Sequence, residues 1–262
     1  MRNVFRIGVN DFLEGWRARR LWMAFAKESI DDNHRNTLLG PIWLLLNYLM
    51  FVGTFRFIMR IGANDESYTL HISIGLLVWF FMHEAITQGV SLFSREEGFI
   101  KGTPLPLSTY VFRMAMQSGI RSGYSLLGCM GILLLSGAYP SVFWLWSVLG
   151  FAIIIATAPA VITILAFVGA YFPDSRYLVS NAMRIGMFLT PVFWTYSGSH
   201  GARHFFYWYN PFTYFLEVVR IPIINGTLPL NALFLCVFVG VIMWGAAIFL
   251  MGRYRKKVVF VL

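Results

Sequence analysis

Residues 142–172 read VFWLWSVLGFAIIIATAPAVITILAFVGAYF, thirty-one residues without a charge. A helix rises about 1.5 Å per residue and the hydrocarbon core of a bilayer is about 30 Å thick, so ~20 such residues cross it. This run exceeds a perpendicular crossing and must tilt, kink near Pro159, or extend past the lipid. It shows none of the period-two alternation of an outer-membrane barrel strand. A lone segment in lipid has to satisfy its backbone internally, which a helix does. The stretch reads as a membrane helix.

Five other stretches pass the same test: about 38–59, 71–93, 110–135, 178–196 and 230–251. They predict an all-α integral membrane protein with six transmembrane helices in one domain, residues 38–251. A polar segment, 1–37, precedes it, and a basic tail, 252–262, follows. Composition agrees, with 58% hydrophobic and 13% charged residues. A soluble domain carries about 25% charge.

The net charge of +9 could suggest nucleic acid, but its distribution argues for membrane topology. With the N-terminus in the cytoplasm, segments 1–37, 94–113, 173–184 and 252–262 hold sixteen Lys and Arg. The opposite segments hold three, Arg60, Arg203 and Arg220. That asymmetry predicts cytoplasmic termini, contact with anionic lipid and no nucleic-acid partner. Cys129 and Cys236 fall inside predicted spans and read as small packing residues. No signal peptide is expected, because a long polar stretch precedes the first span.

Within 1–37, Phe5, Val9, Phe12, Leu13 and Trp16 recur at three- and four-residue steps, with Arg6, Asp11, Glu14 and Arg17 between them. Leu21, Trp22, Phe25, Ala26 and Ile30 continue the pattern. The spacing predicts amphipathic helices in the membrane interface, apolar face down and charges up; packing on a soluble partner is the alternative. Residues 94–113, SREEGFIKGTPLPLSTYVFR, form the one substantial polar loop between spans on the cytoplasmic side, with a short charged helix expected over 94–100. The segment between spans five and six is apolar but broken by Pro211, Pro222, Gly226 and Pro229. It suits two short re-entrant helices, which need shielding by protein or a wet cavity.

Catalytic signatures are mostly absent. No phosphate-cradling G-x-x-x-x-G-K-[ST] occurs, so ATP hydrolysis is not expected on this chain, and no enzyme activity is predicted. His83 and Glu84 adjoin, but no second histidine at helical spacing completes a metal site. Glu84 and Arg121 lie near the middle of spans two and three, where charge is costly. They suit either a mutually neutralising pair that fixes helix register or the lining of a wet path. The most aromatic stretch is 205–215, FFYWYNPFTYF, with eight rings in eleven residues. Rings gather at membrane interfaces, yet a belt needs only one or two per helix end. Aromatic faces also bind the C–H faces of sugars weakly enough to let a polymer slide.

Several segments carry a resemblance in order: KESIDDNHRNTLLGPIWLLLN into span one, GFIKGTPLPLSTYVFR after span two, YFPDSRYLVSNAMRIGMFLTPVFW through span five, and YNPFTYFLEVVRIPIING beyond it. The chain resembles the permease subunit of ABC-type polysaccharide exporters, which move O-antigen, capsule or teichoic-acid chains across bacterial plasma membranes. The resemblance implies a homodimer in the bacterial inner membrane with two separate ATP-binding subunits, which carry the ATP and Mg²⁺, and a lipid-linked polysaccharide as cargo. It implies that Arg95, Glu96, Glu97, Lys101, Gly102 and Pro104 meet the ATPase. The short helices after span five would lie at the channel exit, with Trp194, Tyr196, Phe205, Tyr207, Trp208, Tyr209, Phe212 and Tyr214 as lining. Arg35, Arg95 and Lys101 are candidates for the lipid-pyrophosphate entrance, against a simple solvated-charge role. Two departures are visible. Pro173-Asp174 stands where the family usually has Arg before Asp, and His34-Arg35 where relatives often have Tyr-Arg. Rival readings are an exporter of a small drug or lipid, a proton-coupled transporter using Glu84, and an intramembrane enzyme using His83 and Glu84.

Overall fold

The computed structural model describes residues 2–34, 37–59, 66–196, 198 and 201–262. Among these residues the regular elements are all helices: α1 (Arg2–Arg17), α2 (Arg19–His34), α3 (Ile42–Met59), α4 (Glu66–Gly89), α5 (Leu92–Arg95), α6 (Glu97–Gly102), α7 (Leu107–Leu135), α8 (Trp144–Tyr171), α9 (Ser175–Leu189), α10 (Ala202–Tyr209), α11 (Pro211–Ile224) and α12 (Leu230–Val261). The centre is α4, whose Ile72, Ile74, Leu76, Val78 and Trp79 are wholly enclosed. It is flanked by α7, α8, α11 and α3, and α12 lies along the far side of α8.

Four helices are long and apolar enough to cross a bilayer: α4 (over Ser67–Gly89), α7, α8 and α12. This is a membrane protein. The expected six crossings are only partly matched by helix length. Helix α3 has 18 residues and α9 has 15, or about 27 and 22 Å against a core of about 30 Å. Their ends have local causes. Gly40 takes a left-handed φ of 54° ahead of Pro41, so α3 starts at Ile42 and not at the expected 38. At the other end Thr190 is extended and precedes Pro191, a pairing that disfavours helix. Residues 190–196, expected as the end of span five, form a turn whose carbonyls are taken by side chains from α4 and α11. Tyr68 Oη donates to Phe193 O at 2.6 Å, Arg220 Nη1 to Pro191 O at 3.0 Å, and the His71 imidazole meets Trp194 O at 3.2 Å.

Helix α8 stays one helix through Pro159, leaving residues 142, 143 and 172 of the apolar run outside it. Helix α12 continues through the basic tail to Val261. The loop after α4 folds as two short helices, α5 and α6, where one was expected over 94–100.

The N-terminal helices require a correction. Phe5, Leu13, Trp16 and Phe25 do present an apolar surface, at 41–52% exposure, while Phe12, Trp22, Ala26 and Ile30 face the bundle. Asp11 was read with the outward charges, but it is 1% exposed. Its carboxylate accepts the Ser108 backbone N–H in the first turn of α7, at 3.1 Å, and pairs with Arg255 of α12 at 3.0 Å; Ser108 Oγ donates to Asp11 O at 2.6 Å. The first turn of a helix leaves N–H groups without partners, and Asp11 supplies one from a different helix. Glycines let the backbones close up: Gly8 faces Ile248 O and Gly252 faces Val4 O, where any side chain would collide.

Candidate functional site

Two cavities share one ion pair in their lining. Glu84 of α4 and Arg121 of α7 lie 2.7 Å apart (Oε1 to Nη1), with side chains 21% and 26% exposed. On one side a cavity of about 360 Å³ is walled by α3, α4 and α7, including Asn47, Tyr48, His83 and Gln88. On the other, a cavity of about 330 Å³ lies between α2, α4, α5 and α7, including Ser29, Arg95, Glu96, Arg113 and Gln117. Glu84, Gln88 and Arg121 belong to both. The pair therefore lines both spaces, the first of which also carries Leu44, Phe51, Phe80 and Phe81. Chemically, it can hold two helices in register and close or open a wet connection as it breaks.

The α5–α6 segment divides into an inward and an outward set. Glu96 is buried, at 4% exposure, where it pairs with Arg113 of α7 at 2.7 Å and Arg95 at 3.5 Å. Its carboxylate is thus turned away from the surface shared by Arg95, Glu97, Lys101, Gly102 and Pro104. On that surface Lys101 pairs with Glu97 at 2.7 Å, and Phe99 stands 62% exposed. Arg95 also donates to Gln88 Oε1 at 2.8 Å, linking α5 back to the end of α4. Arg35 lies outside the described residues.

The ring-rich stretch is likewise split by burial. Phe205, Trp208 and Tyr209 of α10 are 57%, 47% and 72% exposed, and Phe205 stacks on Tyr209 at 4.9 Å. Tyr207 is half-buried and stacks on Tyr196 at 4.6 Å with an interplanar angle of 15°. Tyr196 Oη shares a 2.6 Å hydrogen bond with His204 Nδ1, and Tyr214 Oη donates to Trp208 O at 3.0 Å. Trp194 donates to Phe188 O at 3.1 Å. Phe212 turns into the bundle against Trp79, at 5.6 Å, and with Phe215 lines an apolar cavity of about 200 Å³. The N-terminus of α11 is capped by Asn210, whose side chain accepts from Phe212 N at 3.0 Å. Burial raises the Tyr207 phenol to about 12, so the hydroxyl stays protonated at any ordinary pH.

Three groups escape a reading of the sequence. Arg113 stood in the polar loop as one more basic residue, yet it neutralises Glu96. Arg220 counted as an outer-side charge; it is 2% exposed, pairs with Glu217 at 3.1 Å, and lies flat against Gly75, where a side chain would not fit. Asp11 was hidden among other polar residues. For Arg220 a signal existed, since it interrupts the apolar run EVVRIPII, and a charge there needs a partner. Among the described residues no group of three or more His, Cys, Asp and Glu is placed to hold a metal ion.

Comparison with known proteins gives a consistent result. The chain is 25% identical over 244 residues to the O-antigen export system permease protein RfbA of Klebsiella pneumoniae, covering 90% of this chain and 93% of the relative. A second Klebsiella pneumoniae protein of that name is 24% identical over the same shares of each chain. The chain is similar to O-antigen export permeases over nine-tenths of its length. The protein of that name from Myxococcus xanthus is 23% identical over 70% of this chain and 72% of its own. No protein-family model matches. The similarity spans 93% of each Klebsiella pneumoniae protein and 72% of the Myxococcus xanthus one, in line with the resemblance to permease subunits of ABC-type polysaccharide exporters.

Proposed function

We propose that this chain is the channel-forming subunit of an ATP-driven exporter that moves a lipid-linked polysaccharide out of the cytoplasm across the bacterial inner membrane. The observation that carries the reading is the likeness to O-antigen export permeases over nine-tenths of both chains. Four membrane-long helices support a permease role. In this reading α3 and α9 supply two further crossings, both termini lie in the cytoplasm, and α10 and α11 dip into the outer leaflet and return.

Two copies of the chain would form the channel, and two ATP-binding subunits would carry ATP and Mg²⁺. The outward set on α5–α6, namely Arg95, Glu97, Phe99, Lys101, Gly102 and Pro104, would receive the partner's push. The buried Glu96–Arg113 pair then gives that push a stiff route into α7, because breaking it would strand a buried charge. At the other end, the exposed faces of Phe205, Trp208 and Tyr209 suit a surface on which sugar rings rest without a fixed hydrogen-bond pattern.

Reconstitution tests this function. Liposomes holding the chain with its ATP-binding partner should move a lipid-linked glycan across the bilayer when ATP is supplied to the partner's side, and should not without ATP. Movement driven by a proton gradient alone would instead support a secondary transporter built on Glu84.

A further inference from the structure

The apolar cavity of about 200 Å³ between α4, α8, α11 and α12 has no part in the export reading. Its walls include Ala85 of α4, Ala158 and Val161 of α8, Phe212 of α11, and Val239 and Met243 of α12. Among the described lining residues none is charged. The one hydroxyl, Thr157 Oγ1, donates to Ile153 O of its own helix at 2.8 Å. Water held there would need about two to four polar partners, and an apolar cavity of about 150 Å³ is known to stay dry and take benzene. Left empty, the walls would forfeit dispersion contacts. The fitting occupant is apolar.

Depth decides which apolar occupant. At 1.5 Å per residue Ala158 lies about 20 Å from either end of α8, in the middle of a membrane-long helix. The cavity also reaches the surface of the bundle, where its lining residue Pro211 is exposed and Val161, Val239 and Met243 are half-buried. Beside these on α12, Phe238, Val241 and Ile242 stand exposed and apolar. The solvent at that depth is lipid hydrocarbon. A chain segment of several methylenes suits the volume and asks for no hydrogen bond.

We propose that this cavity holds the end of an acyl chain from a bilayer lipid, which fills space among four helices that no side chain fills. The proposal goes beyond the export reading and does not depend on it. Its test reads lipid binding and not transport, so the two can fail separately.

The experiment uses the full chain in phosphatidylcholine nanodiscs in which a small share of the lipid carries a diazirine at the end of one acyl chain. After illumination, labelled residues are mapped by mass spectrometry. Label is expected at Ala158 and Met243 inside the cavity, and also on the outer face at Phe234 and Phe238, which are 74% and 55% exposed. Ala158→Leu fills the space and should lower the label at Met243 about tenfold, with Phe234 and Phe238 labelled as before. Met243→Ala enlarges it and should raise the label at Ala158. Should Ala158→Leu fail to fold, Ala85→Leu, which fills the cavity from α4, decides in its place. An unlabelled cavity beside a labelled outer face, or equal cavity label in chain and filled variant, would overturn the proposal. Label displaced by added polyprenyl phosphate would give the cavity to a cargo's carrier lipid, and label seen with one chain per disc but not with two would give it to a second copy; either result would overturn the bilayer lipid as occupant.

Discussion

Glu84 and Arg121 show what a single residue can reveal in a membrane sequence. A charge in an apolar run is conspicuous because lipid penalises it, so both were legible, and their similar depth on adjacent spans pointed to each other. The 2.7 Å contact gives the pair its physical content. Glu84→Gln alone leaves a poorly neutralised arginine between two cavities and should cost about 2 kcal/mol, while Glu84→Gln with Arg121→Gln should cost less. Thermal unfolding in detergent measures this; a double variant no more stable than the single would show that the two do not act as a pair. The aromatic residues belong to the same scale. Replacing Tyr207, Trp208 and Tyr209 together with Leu keeps apolar area and removes ring faces. Glycan export should drop several-fold with the protein still inserted, whereas normal export would reduce the stretch to an anchor. Asp11 was not legible, because beside Arg6, Glu14 and Arg17 one more charged residue looks solvated; only the position of Ser108 and Arg255 makes it a buried acceptor.

At the scale of elements, Asp11 joins three helices. It closes the first turn of α7 from α1 and meets Arg255 on α12, so α1 moves with the bundle and is not a free float on the membrane. Asp11→Ala strands the Ser108 N–H and should lower stability by about 2 kcal/mol. The pH dependence has a definite sign. Burial raises the Asp11 carboxyl above its ordinary 3.8, against the lowering effect of Ser108 and Arg255. A folded value above the unfolded one means that its contribution is complete below 3.8 and is lost as pH rises through the raised value. Asp11→Asn, which keeps an acceptor for Ser108, should therefore unfold with a flatter pH profile just above 3.8; an unchanged profile would remove Asp11 as its source. Helix existence was readable from apolar runs, but helix ends were not. Apolarity continues through residues 190–196, and what stops α9 is the Thr190-Pro191 step and the capture of its carbonyls by Tyr68, His71 and Arg220, which are distant in sequence.

At the scale of the whole molecule, the proposed export function makes a bundle centred on α4 one half of a machine whose energy comes from another chain. Order carried that reading: weak motifs at consistent separations across the spans were legible, while the inward turn of Glu96 and the two cavities that share Glu84 required packing to be seen. The most direct measurement of the central claim follows the cargo in cells from which this chain has been deleted. The account predicts that the surface glycan disappears, that its lipid-linked precursor accumulates inside, and that the restored gene reverses both. An unchanged glycan coat in the deletion, with no precursor retained, would contradict it.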